Sequence, residues 1–243
     1  MAKPFLIIQL RPEDATADNE LAAIQRYGEL ADDEVMRLRA EQNGLPNIEL
    51  EDFQGIIVGG SPFDVSTPHD EKTAIQQQVE QDFAHLFDRV IPADFPFLGC
   101  CSGNGLLGQY LGAPISTRYG EAVGGVDLTL TDAGRQDPLL EGFPNTFRVL
   151  LGHKEACDSV PPQSTLLASG QACPIQMFRV RSNVYATQFH PEADPEGFGV
   201  RIEIYKNHGY FKPETAAELI ASISNEETPW AQRILRNFVR RYR

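Results

Sequence analysis

With 243 residues, 42% hydrophobic and 23% charged, the chain has the composition of an ordinary soluble globular protein with a sizeable core, and one α/β domain spanning 1–243 is the expectation. Its net charge of −13 argues against nucleic acid or an anionic membrane as the main partner. The cysteines at 100, 101, 157 and 173 form no Cys-x-x-Cys pair and no zinc-finger spacing, so reduced thiols in a cytoplasm are expected rather than a disulfide framework.

The first apolar run, Phe5 to Leu10, is too short for a signal-peptide core and reads as a strand, followed by a loop carrying Arg11-Pro12-Glu13-Asp14. Residues 18–42 are polar and helix-favouring, with Leu21, Ile24, Leu30, Val35, Met36 and Leu38 on an interrupted apolar face, and predict two helices broken near Gly28. A short strand is expected over 47–51 and a strongly buried one over 55–58, ending in Gly59-Gly60-Ser61-Pro62. Glycines at a strand end let backbone N–H groups approach a ligand, though most Gly-Gly pairs are plain turns. Ile75, Val79, Phe83 and Leu86 line one side of a helix over 70–89, which links the strand at 55–58 to another at 95–99 as a βαβ unit of a parallel sheet.

That next strand runs into Gly99-Cys100-Cys101-Ser102-Gly103, and Leu106, Leu107, Tyr110 and Leu111 then recur at helical spacing. Gly99-x-Cys101-x-Gly103 has the layout of a nucleophile elbow, in which a reactive side chain sits on a sharp strand-to-helix turn. Cys101 is the candidate nucleophile and Cys100 turns back into the sheet. A helix N-terminus favours the thiolate, which is the reactive form. The plain alternative is a pair of small buried residues closing a strand.

Further strands are expected over 123–130, 146–151 and 165–168, and a hairpin over 176–189 leads into His190-Pro191-Glu192. In an extended segment residues two apart share a side, and Pro191 pushes His190 toward that conformation. Glu192 can therefore orient the His190 ring, leaving its other nitrogen for the thiol. Helices are expected over 196–207, 213–224 and 230–242, forming a C-terminal extension (194–243) to a core of 5–192. The arginines of the last helix suit intramolecular ion pairs, and no phosphate-binding Gly-x-x-x-x-Gly-Lys sequence, hence no ATP site, is found.

Leu98-Gly99-Cys100-Cys101-Ser102-Gly103 and Gln188-Phe189-His190-Pro191-Glu192 together resemble the class I glutamine amidotransferase family, and Val58-Gly59-Gly60-Ser61-Pro62 is similar to that family's oxyanion loop. The segment 172–179 further resembles a stand-alone branch similar to the amidotransferase half of GMP synthase. The resemblance implies a flavodoxin-like three-layer sandwich with a mostly parallel central sheet. It also implies a Cys101-His190-Glu192 triad, an oxyanion hole from the backbone N–H groups of Gly60 and Ser102, no cofactor, and ammonia passed to a separate synthetase. Gly59 and Gln188 flank these motifs as candidate substrate contacts. The family usually has Gln four residues after the nucleophile, where this chain has Gly105. Asn104, His153 and Glu155 are candidates to hold the substrate in its place.

Three other readings stay open at this point. One is hydrolysis of a γ-glutamyl amide or peptide, suggested by Gly105. Another is a non-catalytic relative that keeps the fold. The last is a metal hydrolase built from His153, Glu155, His190 and Glu192, since imidazole and carboxylate ligate zinc; it would leave the glycine-flanked cysteine unexplained.

Overall fold

The computed structural model describes residues 3–207, 209 and 211–243. In chain order its strands and α-helices are β1 (Phe5–Gln9), α1 (Asp14–Gly28), β2 (Val35–Arg39), α2 (Ala40–Asn43), β3 (Gly55–Val58), α3 (Ala74–Ala93), β4 (Phe97–Cys100), α4 (Ser102–Tyr110), β5 (Ile115–Ser116), β6 (Glu121–Leu130), α5 (Asp132–Arg135), β7 (Thr146–His153), β8 (Ala156–Cys157), β9 (Ser164–Ser169), β10 (Met177–Val180), β11 (Val184–Thr187), α6 (Pro195–Tyr205), α7 (Ala216–Ile223) and α8 (Pro229–Tyr242).

Nine strands form one sheet in the order β2-β1-β3-β4-β11-β10-β9-β6-β7, and β5 pairs with β8 in a small second sheet. The five strands from β2 to β11 are mutually parallel, and the pairings from β11 to β7 are antiparallel. Period-two alternation sends the residues of β1 to opposite faces. Phe5 and Ile7 join Ile24 of α1 and Ile234, Leu235, Phe238 and Val239 of α8 on one face, while Leu6 and Ile8 join Val79 of α3 and Leu107 of α4 on the other. Helices thus cover both faces of the parallel part, giving the three-layer α/β arrangement.

Two expectations need correction. The stretch 30–42 is not a second helix: after a 3₁₀ turn at Asp32–Glu34, Val35–Arg39 pairs in parallel with β1 as the edge strand β2. Its interrupted apolar spacing reflects a half-buried edge, with Met36 exposed at 52%. Residues 47–51 hold no strand; a 3₁₀ turn forms at Leu50–Asp52.

The last helix, expected within an extension, instead fills the main core. Ile234, Leu235, Phe238 and Val239 are fully buried, and the Phe238 ring lies 6.3 Å from that of Phe5 in β1. Truncating a buried Phe loses its transfer free energy and leaves a cavity. Phe238→Ala is expected to lower unfolding stability by about 3–5 kcal/mol, read from urea denaturation midpoints at unchanged slope.

Candidate functional site

β3, β4 and β11 are neighbouring parallel strands, so their carboxyl ends open onto one edge of the sheet, where α/β folds gather their ligands. Thr187 of β11 stands level with Cys100 of β4, and the Cys101 N–H donates to the Thr187 carbonyl at 2.7 Å. Three residues beyond Thr187 the chain reaches His190. Pairing of β4 with β11 is therefore what brings a mid-chain thiol and a distant imidazole to the same cleft.

Cys101 sits at φ 53°, ψ −91°, a strained conformation for a residue with a side chain, between the end of β4 and the start of α4. The strain is enforced by close backbone approach: a Cβ on Gly99 would lie 2.8 Å from the carbonyl carbon of Gly103. Of the two flanking glycines only this one is sterically required, since a Cβ on Gly103 would meet Val58 at an ordinary 3.5 Å. Cys100 is buried, as expected, and Cys101 is partly exposed.

Cys101 lies where two small pockets meet. One, of about 50 Å³, is bounded by His190, Arg11, Arg201, Phe198, Ile202 and Tyr205 among others. The other, of about 30 Å³, includes Ser102, Gly105, His153, Lys154, Glu155 and Gln188. The loop after β3 faces the elbow as expected, with the Ser102 hydroxyl donating to Ser61 Oγ at 2.7 Å.

His190 Nδ1 donates to Glu192 Oε1 at 2.8 Å, but the segment is not extended: Pro191 and Glu192 form a turn closed by the Ala193 N–H on the His190 carbonyl at 3.1 Å, and it is this turn that brings the two side chains together as a pair. Arg201 of α6 completes it: its Nη1 lies 3.0 Å from the same carboxylate oxygen and 3.3 Å from the ring nitrogen. All three side chains are buried. Burial would raise the Glu192 carboxyl, but His190 and Arg201 outweigh it and hold it below the usual carboxylate range. For His190, burial dominates and, with Arg201 and Arg11, lowers its pKa despite Glu192.

The thiol departs from expectation. Burial pushes Cys101 up to about 12, a rise that Arg11 and Arg201 only partly offset and to which Glu192 and Glu155 add. Burial thus works against the thiolate expected at a helix N-terminus, and against the imidazolium of His190 as well.

The oxyanion glycine also departs. The Gly60 N–H, expected to face the cleft, donates to Glu20 Oε1 at 3.0 Å. Glu20 is fully buried, and Arg11 Nε donates to that same oxygen at 2.7 Å. A Cβ on Gly59 would lie 2.2 Å from Glu20 Oε2, so Gly59 is what admits this carboxylate, while a Cβ on Gly60 would lie 2.5 Å from Arg11 Nη2 and 2.8 Å from His190 Cε1. The Gly59 N–H is taken by the Ile8 carbonyl at 3.0 Å. Ser102, as the first residue of α4, has no acceptor for its N–H within the helix and keeps its expected position at the pocket.

Among the candidate substrate contacts, His153, Glu155 and Gln188 reach the cleft. Asn104 does not serve as expected: it is fully buried, with its Oδ1 3.6 Å from the Cys157 thiol that donates to it. Glu155 binds the backbone N–H groups of Val65 and Ser66 at 2.6 and 2.7 Å, and a Cβ on Gly105 would lie 3.7 Å from its Oε1. Glu155 thus stands beside the position that a side chain at 105 would enter. The proposed four-residue metal set is not assembled either, because His153 pairs with Glu121 at 3.0 Å while His190 pairs with Glu192.

Arg11, Glu20 and Arg201 were not singled out from sequence. Their trace was there: Glu20 falls on the apolar face of α1 with Ala17 and Ile24, and Arg201 on that of α6 with Phe198, Ile202 and Tyr205. A charge at a core position of an amphipathic helix marks a buried partner.

A family model described as glutamine amidotransferase class-I matches residues 17–210. The chain belongs to the class I glutamine amidotransferase family. It is 31% identical over 162 residues to the glutamine-hydrolysing GMP synthase of Petrotoga mobilis, covering 66% of this chain and 28% of that one. It is 30% identical over 147 residues to the putative glutamine amidotransferase-like protein YfeJ of Salmonella typhimurium, covering 60% of this chain and 59% of YfeJ. The chain thus spans well under a third of the former and about three fifths of the latter. A glutamine-hydrolysing GMP synthase subunit of Archaeoglobus fulgidus is 26% identical over 68% of this chain and 80% of its own length. Among solved structures, a glutamine amidotransferase from Thermotoga maritima superposes with a TM-score of 0.77 at 20% identity, over 100% of this chain and 99% of that one.

Two predictions follow from the electrostatics of the floor. The thiolate absorbance near 240 nm, taken as wild type minus Cys101→Ala, is expected to be absent at pH 7 and to grow only as pH climbs toward about 12. Glu20→Gln removes the charge partner of buried Arg11 and is expected to cost about 3–5 kcal/mol by urea denaturation, as breaking a buried ion pair does.

Proposed function

We propose that this chain hydrolyses the side-chain amide of glutamine through a Cys101 thioester and supplies ammonia to a separate synthetase. The observation that carries this reading is the shared cleft of Cys101 and His190, with His190 held by Glu192. With burial favouring the neutral thiol and the neutral imidazole, His190 acts as a general base as Cys101 attacks the amide carbon. The imidazolium so formed is stabilised by Glu192, and it then protonates the departing ammonia. Water, deprotonated by the same ring, cleaves the γ-glutamyl thioester to glutamate.

The developing oxyanion meets the Ser102 N–H at the start of α4. The Gly60 N–H joins only by exchanging Glu20 Oε1 for the substrate oxygen, so the resting site holds half of its oxyanion hole in reserve. In the second pocket, Lys154, Glu155 and Gln188 face the α-amino and α-carboxylate end of the substrate. A synthetase partner is suggested by the archaeal relatives, which are themselves single subunits of a GMP synthase.

A second reading is favoured by the pocket on the other side of Cys101. Its Phe198, Ile202 and Tyr205 offer an apolar wall where an N-substituted γ-glutamyl amide would place its amine group. Ammonia fills none of that space.

Ammonia and glutamate release from glutamine, measured alone and with a synthetase of the GMP synthase type, tests the first reading, and Cys101→Ala is expected to lower turnover by about 10⁴-fold or more. No release under either condition removes it, and a kcat/KM for γ-glutamyl anilides above that for glutamine selects the second reading. The acid limb of the kcat/KM profile, which reports loss of neutral His190 on protonation, is expected to have its midpoint below the ordinary histidine value, because burial lowers that pKa.

A further inference from the structure

Behind the wall of the second pocket, three side chains able to ligate a metal converge from separate parts of the chain. Glu121 opens β6, His153 ends β7 and Cys173 lies in the loop before β10, and their ligand atoms all fall within 4.8 Å of one another. A tetrahedral zinc site with bonds of about 2.0–2.3 Å spaces its ligands roughly 3.3–3.8 Å apart, so a small contraction suffices.

The histidine carries the argument further. Its Nδ1 lies 2.9 Å from the Glu155 carbonyl oxygen, which only accepts, so Nδ1 bears a proton. In the neutral ring Nε2 then turns its lone pair toward Glu121 Oε2, 3.0 Å away. Two acceptors face each other in a contact whose side chains are 3% and 8% exposed, unless a proton or a metal cation stands between them. A ring held through one nitrogen by a backbone carbonyl and offering the other is how metal-ligating histidines are commonly set.

Gln176 adds an independent observation. It is fully buried, and its amide nitrogen donates to Glu121 Oε2 at 2.5 Å while its Oε1 has no hydrogen-bond partner. Rotation of that amide would offer a fourth ligand oxygen to the group. Cys173 makes a long contact, 3.7 Å, to the Ile175 carbonyl.

We propose that Glu121, His153 and Cys173 form a zinc-class metal site, with the Gln176 amide at the fourth position. Thiolate and imidazole together select against magnesium and calcium. Binding releases the Cys173 thiol proton to solvent and ties the start of β6, the end of β7 and the loop 170–176 into one unit. The role is structural: none of the ligands is Cys101, His190 or Glu192, although His153 also lines the second pocket.

Cobalt(II) added to the purified Cys101→Ser chain, which lacks the cleft thiol, tests the proposal. Expected are one equivalent bound per chain, a near-ultraviolet sulfur-to-cobalt charge-transfer band with tetrahedral visible bands, displacement of both by zinc, and a melting temperature raised by several degrees at about 100 times Kd. Cys173→Ser in the same background is expected to abolish the charge-transfer band while keeping the circular dichroism spectrum. X-ray absorption of the zinc-loaded Cys101→Ser chain decides the matter without touching the cluster: one sulfur at about 2.3 Å with nitrogen and oxygen ligands supports the site. Absence of stoichiometric binding, a coordination shell without sulfur, or a thiolate band that survives Cys173→Ser overturns it.

Discussion

Two buried ion pairs hold the floor of the cleft, and most of the site depends on them. Arg11, just past β1, pairs with Glu20 of α1 at 2.7 Å, and Arg201 of α6 pairs with Glu192 after β11 at 3.0 Å. Each guanidinium and each carboxylate comes from a different element, so the pairs fix those elements against one another. Buried pairs of this kind give little net stability relative to well-packed apolar residues, yet losing one member strands its partner. Their effect is positional. Glu20 holds the Gly59-Gly60 turn, and Glu192 holds the His190 ring.

The same low-polarity surroundings set the protonation states. Burial disfavours both the Cys101 thiolate and the His190 imidazolium. In the reaction we propose, attack creates opposite charges together, with the new imidazolium beside Glu192 and the new oxyanion beside the Ser102 amide at the start of α4. On that proposal the Ser102 amide and Glu192 are in place before the charge forms, which is how a preorganised site favours a transition state over a resting state. The Glu20 contact to the Gly60 N–H adds a further condition, because one donor becomes available only when that carboxylate is displaced.

Cys101 separates two unlike spaces. On one side Lys154, Glu155 and Gln188 present polar groups, and on the other Phe198, Ile202 and Tyr205 present apolar ones. Gly105 belongs to the polar side, and Glu155 stands next to it, tied to the Val65 and Ser66 amides. A glycine at 105 leaves that space open, and the Glu155 carboxylate stands beside it, 3.7 Å from where a Cβ would lie.

Local pattern was enough for much of this. The strand and helix alternation, the strained turn at Cys101 and the nearness of His190 to Glu192 were legible because their causes lie within a few residues, with glycine where the backbone crowds and apolar residues at period two or 3.6, although the His190-Pro191-Glu192 segment reads as extended and is a turn. Val35–Arg39 reads as helix from its sequence because an edge strand is half-exposed and its spacing fits either period, so only pairing with β1 decides. The pairing of Arg11 with Glu20 and of Arg201 with Glu192, the diversion of the Gly60 N–H, the burial of Asn104 against Cys157 and the rise of the Cys101 pKa were decided by the tertiary structure alone. Each depends on which groups from distant elements share a space without water, and burial and charge pairing are properties of that space rather than of any stretch of chain.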